Sequence, residues 1–253
     1  MSRPIVVVGA GIVGICCAAY LLREGHEVLV VERDGPGEGT SKGNAGALSP
    51  YSCVPLAMPG VFQKIPGWLM DPEGPLTIQP RYFLRALPWL LRFTLSARPE
   101  RVTQIADGLV ALHQHVYDCY APLVAAAGCG DLIHRSGTLN VYRSERSFQN
   151  SLSDWKMRSD RGGQMRTLTG GEMREFVPEL SPAYTHGVLL PEHGYLTSPY
   201  RLVKSLAAQF VADGGRIERA AVRALGRGDG DAMTVVLDDG RKIDAARAVL
   251  AAG

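Results

Sequence analysis

The hydrophobic pattern changes period several times along this chain. Ile5-Val6-Val7-Val8 is an unbroken apolar run, as expected of a strand buried on both faces. Gly9-Ala10-Gly11-Ile12-Val13-Gly14 follows, then an apolar stretch with helical spacing, then a second run closing at Val30-Val31-Glu32. Residues 51–75 carry prolines at 55, 59, 66, 72 and 75, which exclude a long helix there. Helical spacing predicts helices over 81–97, over 100–127 as one long element ended by Gly128 and Gly130, and over 145–160. A short helix is expected over 170–177, before Pro178, and another from Pro199 to Ala212, stopped by Gly214-Gly215. Residues 137–142 alternate in character and predict a strand, and Val188-Leu189-Leu190 a shorter one. Four strands are expected at the end, over 216–219, 221–226, 232–238 and 246–250, with Asp238-Asp239-Gly240 as a hairpin signal.

The first thirty-two residues carry the clearest chemistry. Gly9 lets the chain turn sharply out of the strand, Gly11 leaves the backbone bare for a pyrophosphate, and Gly14 lets the helix pack close to the sheet. The helix N-terminus then offers unpaired N–H groups to phosphate oxygens. Glu32 lies 21 residues beyond Gly11, where a carboxylate can accept hydrogen bonds from a ribose diol. The unit points to a cofactor containing ADP. Two plainer readings compete: a signal peptide or membrane span over the uncharged residues 5–22, and a hydrophobic β-α unit with a fortuitous glycine pattern. Three glycines, a cysteine pair and the lack of a basic N-terminal cluster count against the first.

Between Asp34 and Gly46 glycines alternate with small polar residues, which suits a second phosphate or flavin contact or an ordinary surface loop. In the 81–97 segment, Arg81, Arg85 and Arg92 fall within a narrow arc and Leu, Phe and Trp cover the rest. That segment reads as a domain helix with a solvated arginine stripe, interrupted by Pro88, or as a peripheral contact with an anionic membrane. Composition narrows the class. Hydrophobic residues make up 46% and charged residues 21%, as in a globular protein with a real core, and 253 residues fit one large domain or two small ones. A net charge of +2 without any Lys/Arg-rich run argues against nucleic acid. Five cysteines without C-x-x-C spacing indicate a reduced, cytoplasmic protein. No metal-ligand cluster or nucleophile–His–Asp set is visible. His113 and His115, two apart on one expected helix, diverge.

The N-terminal unit, Thr40-Ser41 with Gly43-Asn44-Ala45-Gly46, Ser49-Pro50, Pro59-Gly60, Gly194 with Pro199, and the closing Val249-Leu250-Ala251-Ala252-Gly253 together resemble the D-amino-acid oxidase-type FAD-dependent oxidoreductases. The run through Ser49-Pro50-Tyr51 to Pro55 and Ala57-Met58-Pro59-Gly60 resembles the bacterial D-amino-acid dehydrogenases within that group. The resemblance implies an α/β protein with an α+β insert: a glutathione-reductase-like FAD-binding Rossmann βαβ domain over 1–52 and 196–253, and an inserted substrate domain over 53–195. It implies FAD as cofactor, held by Gly9, Gly11, Gly14, Glu32, Arg33, Ser41, Asn44, Ala45, Gly46, Val222, Ala251 and Gly253. It also implies oxidation of a C–N bond by hydride transfer, giving a 2-oxo acid and ammonia, with a quinone or respiratory carrier as acceptor and a peripheral place on the inner face of the plasma membrane.

Hydride transfer needs placement more than an acid or base, which fits the lack of a catalytic triad. No catalytic residue is assigned. Tyr51 is a pocket candidate, or packs under the flavin loop. His193, Tyr195, Arg135 and Arg143 are weaker candidates. Members of the family are longer, and their C-terminal part completes the sheet and usually supplies an arginine for the substrate carboxylate. The apolar strand running into Ala251-Ala252-Gly253 therefore reads as a chain lacking that part, with poor solubility expected from an exposed strand. Two other functions fit the same residues: a dehydrogenase of a cyclic or N-substituted amino acid, of the D-hydroxyproline type, and a non-catalytic FAD-binding fragment or subunit.

Overall fold

A computed structural model of the protein describes residues 3–61, 65, 67, 80–228, 230 and 232–253. The expected proline-rich stretch over 51–75 lies partly outside these residues. The chain forms two compact units. The first comprises residues 1–48, 117–135 and 194–253, and the second residues 49–116 and 136–193. Segment 117–135 thus belongs with the N- and C-terminal segments, whereas the sequence places 53–195 in one insert.

The first unit is built on a parallel sheet. Strands β1 (Ile5–Val8) and β2 (Val28–Glu32) are joined by helix α1 (Ile12–Arg23). Strands β9 (Arg216–Arg219) and β13 (Arg247–Leu250) extend the sheet to the order β13-β1-β2-β9. All its pairings are parallel. Such a sheet must be covered on both faces, which is why its central strands are apolar without alternation. One face, with Val6, Val8, Leu29 and Val31, packs on Val235, Leu237 and Ala245. Those three come from a meander of β10 (Val222–Arg227), β11 (Met233–Leu237) and β12 (Lys242–Ala245). Val7 and Val30 alternate to the opposite face and are fully buried. There α1 packs against α7 (Pro199–Ala212), whose Leu202, Val203, Leu206, Ala207 and Phe210 form its buried stripe. A small antiparallel sheet, β3 (Ala47–Leu48), β8 (Gly194–Leu196) and β4 (Ile133–His134), completes the unit.

The second unit carries an antiparallel sheet of order β5-β7-β6, from Thr138–Tyr142, His186–Leu190 and Arg166–Thr169. Phe148 and Trp155 of helix α5 (Glu145–Ser159) pack on Val188 and Leu190. The Trp155 indole N–H is satisfied by Tyr142 Oη at 2.9 Å and Ser151 Oγ at 3.0 Å. Helix α6 (Gly170–Phe176) opens with a capping box between Thr169 and Glu172. Helices α2 (Phe83–Leu95) and α3 (Pro99–His113) precede the sheet in sequence.

Three expectations are corrected. The single helix over 100–127 is two, α3 and α4 (Val116–Ala126). The buried stripe Val102, Ala106, Val110 would next place Gln114 inward, and a polar residue there gives a further turn nothing to pack on that face. Pro88 does not interrupt α2, which runs through it. The bond it forfeits is to the carbonyl of Leu84, and both residues lie on the exposed side, where that carbonyl is open to solvent. The last part of the chain holds five strands rather than four. Asp238-Asp239-Gly240 does make a hairpin, but its second strand is β12, while 247–250 leaves to pair with β1.

Candidate cofactor site

The carboxyl ends of β1, β2 and β13 open into one cleft of about 470 Å³. In a parallel α/β sheet this is where ligands bind. Its floor is tied together by backbone bonds. Gly9 N donates to Val31 O at 2.9 Å, and Ala251 N donates to Val8 O at 2.8 Å. Gly9 has a φ of +104°, and a Cβ there would sit 2.4 Å from Ala251 O. A Cβ on Gly14 would sit 1.9 Å from Gly9 O, so this glycine serves the packing of α1 under the turn. Gly11 is different. Its φ of −71° and ψ of −179° are open to any residue, and a Cβ would meet only Ser41 Oγ, at 3.3 Å. The fold does not demand glycine there. Its bareness leaves the first turn of α1 open to the cleft, as an incoming phosphate group requires.

Two side chains organise this opening. Glu32 Oε2 accepts from Ala10 N at 2.7 Å and Oε1 accepts from Asp34 N at 3.1 Å. Each oxygen keeps a second acceptor position for a ribose hydroxyl. The buried Ser41 hydroxyl accepts from Ile12 N at 3.0 Å. Since the N-cap, Gly11, has no side chain to cap with, Ser41 supplies that cap from 29 residues away.

The sequence-named residues divide. Gly9, Gly11, Glu32, Arg33, Ser41, Val222, Ala251 and Gly253 all line this one cleft. Asn44, Ala45 and Gly46 do not. Asn44 Oδ1 accepts from Gly46 N at 2.8 Å, and Gly46, at φ +66°, lies against Leu196 O, so this segment is a built turn leading into β3. Thr40 and Ala252, within the segments read for the cofactor, line the cleft too, and Ala220 and Ala221, which were not foreseen, join them. The small Ala220-Ala221 step before Val222 was the available signal.

The remaining candidates lie elsewhere. In the first unit, Tyr195 stacks on His134 with ring centroids 5.1 Å apart, and the Arg135 guanidinium lies 3.9 Å from the centroid of Tyr117. In the second unit, Tyr51 and His193 share a recess with Arg158 and Glu192. Burial, helped by the Arg158 charge, pushes the His193 imidazole below its ordinary value, which favours its neutral form. Arg143 lies over Tyr184, 5.3 Å from its ring centroid. His113 Nδ1 is 3.3 Å from Ser52 O. Among the described residues no three His, Cys, Asp or Glu side chains are grouped to hold a metal.

The parallel sheet, its crevice and the open glycine turn define a dinucleotide-binding protein. The profile of the family described as "FAD dependent oxidoreductase" matches residues 4–253, and the chain belongs to that family. It is 38% identical over 255 residues to a D-amino-acid oxidase of Bradyrhizobium diazoefficiens, covering 100% of this chain and 60% of that protein. It is 39% identical over 183 residues to D-amino acid dehydrogenase 2 of Ralstonia nicotianae, covering 71% of this chain and 43% of the relative. Its fold matches glycine oxidase from Bacillus cereus with a TM-score of 0.65 at 20% identity, over 100% of this chain and 55% of that one. The chain thus spans 43 to 60% of the length of these relatives. The family's cofactor is FAD, and the bare Gly11, the acceptor positions on Glu32 and the N-terminus of α1 beside Ser41 fit its pyrophosphate and adenosine ribose.

Proposed function

We propose that this protein takes part in FAD-dependent oxidation of D-amino acids to 2-oxo acids and ammonia, with electrons passing to a quinone-type acceptor. The observation that carries the reading is the bare Gly11 turn at the mouth of the crevice, in a chain whose relatives are named D-amino-acid oxidase and D-amino acid dehydrogenase. When bound, FAD supplies the two-electron acceptor. The chain's own residues bind and orient it: the α1 N-terminus with Gly9 and Gly11 at the pyrophosphate, Glu32 at the ribose, Ser41 beside the first turn, and Val222, Ala251 and Gly253 along the walls.

Among the described residues no helix is long and apolar enough to cross a membrane. A peripheral contact through α2 suits a quinone acceptor, and it is supported by the exposed leucines of α2 beside Arg85 and Arg92. The test of the reaction is an anaerobic visible spectrum of the purified chain with FAD, before and after D-amino acids. Bound flavin that bleaches with a D-amino acid supports the reading, and the panel ranks side chains, D-hydroxyproline included. Bound flavin that ignores every substrate leaves an FAD-binding fragment.

A further inference from the structure

A charged cluster binds the cofactor loop to helix α7. Glu38 Oε1 accepts from Tyr200 Oη at 2.6 Å and from Lys204 Nζ at 3.0 Å. Its Oε2 accepts from Lys42 Nζ at 2.9 Å. The two ammonium groups lie 5.3 and 5.1 Å from the Tyr200 ring centroid, so cation–π attraction adds to the ion pairs. The backbone is shaped for this arrangement. Gly37, at φ +77°, rests on Val203 and Tyr200, where a Cβ would come within 3.2 Å of Val203, and Gly37 N donates to Ala10 O at 2.9 Å. The same segment is therefore fixed to the glycine turn at one point and to α7 at another. Three residues past Glu38, Ser41 caps the first turn of α1. A solvated loop of this composition has no intrinsic preference for that path. A carboxylate meeting three donors supplies one.

We propose that Glu38, together with Tyr200 and Lys204, is a positioning residue: it holds the 37–42 segment against α7, keeps Ser41 on the first turn of α1, and so slows the escape of FAD from the cleft. The inference rests on the assignment of that cleft to FAD. The hydrogen bond from Tyr200, then those from Lys42 and Lys204, lower the Glu38 carboxyl to about 2. Its contribution is present above the ordinary value of 4.5 and is lost as pH falls from there toward 2, so the clamp is intact at neutral pH.

The test is the rate of FAD release from the purified protein, followed by flavin fluorescence after dilution. Glu38→Gln is expected to speed release about tenfold, while the melting temperature of the cofactor-free protein moves little, as for other exposed ion pairs. Tyr200→Phe acts in the same direction, and the double variant is no faster than Glu38→Gln alone because both changes break one unit. Lys204→Arg, which keeps the charge, releases FAD more slowly than Lys204→Met. Release from Glu38→Gln within about twofold of the unaltered protein overturns the clamp. Glu32→Ala separates the two ideas, because it removes the acceptors the cleft offers a ribose without touching Glu38, Tyr200, Lys204 or Ser41. Loss of FAD in that variant supports the cleft, and full retention overturns the cleft assignment itself.

Discussion

At the residue scale, one sequence motif contains side chains with opposite tasks. Gly9 and Gly14 are glycines because neighbouring backbone leaves no room for a Cβ, whereas a Cβ on Gly11 would meet only the Ser41 hydroxyl, at the mouth of the cleft. Cys16, two residues past Gly14 on α1, is held as a thiol. Burial, then the neighbouring Cys17 and Cys119, push it up to about 12 from its ordinary 9.0. Cys119 is exposed. Iodoacetamide at about pH 8 is therefore expected to modify Cys119 and spare Cys16, read by peptide mass mapping, because the thiolate is the reactive form. The sign of the linkage is fixed by the same shift. An unfolded chain loses the Cys16 proton first, so this group's contribution is full below 9 and is withdrawn as pH rises toward 12. Alkylation of Cys16 at a rate equal to that of Cys119 in the folded protein would contradict both statements.

At the element scale, legibility follows how local each determinant is. Helix α7 was readable because its signals are adjacent: Pro199 at its first position, an unbroken apolar stripe, and Gly214-Gly215 after it. Gly215 is also sterically required, since a Cβ there would lie 2.3 Å from the Phe210 ring. The one start signal that spacing did not bring out is Ser198, whose hydroxyl accepts from Arg201 N. Ser198→Ala is expected to cost about 1 kcal/mol. Urea unfolding checks it, and a midpoint unchanged from the parent would refute the cap. What was not read is set from a distance. Two-residue β3 and β4 exist only because β8 lies between them, and β13, expected as a strand over 246–250, finds its partner not in the hairpin but in β1, some 240 residues earlier in the chain. The cleft divides in the same way. Gly9, Gly11 and Glu32 stand in one contiguous unit and could be read in it. The Glu38–Tyr200 bond joins residues 162 apart, and no local pattern announces it.

At the scale of the molecule, a small net charge of +2 means that attraction to a charged surface must come from local patches. Helix α2 carries such a patch. Residues 74–99 contain no Asp or Glu, while Arg81, Arg85, Arg92 and Arg98 all lie within them. Along α2, Leu84, Leu91 and Leu95 are 79%, 57% and 53% exposed, and Trp89 is 59% exposed. Around the helix the leucines flank one side of the arginine ridge and Trp89 the other. The stacked Trp89–Phe93 pair, with Phe93 packed inward on Ala57, Val61 and Ala97, fixes how the helix presents this surface. Arginine with leucine and an aromatic ring suits the boundary between anionic headgroups and acyl chains. Vesicles containing anionic lipid are expected to co-sediment with the protein, less so as salt is raised, and neutral vesicles are not. Binding should shift Trp89 emission to shorter wavelength. Replacing Arg81, Arg85 and Arg92 together by Glu should abolish sedimentation while leaving the circular dichroism unchanged, because none of the three is buried. Co-sedimentation that survives the triple substitution would remove the membrane contact, and would leave the exposed leucines to be explained by a protein partner.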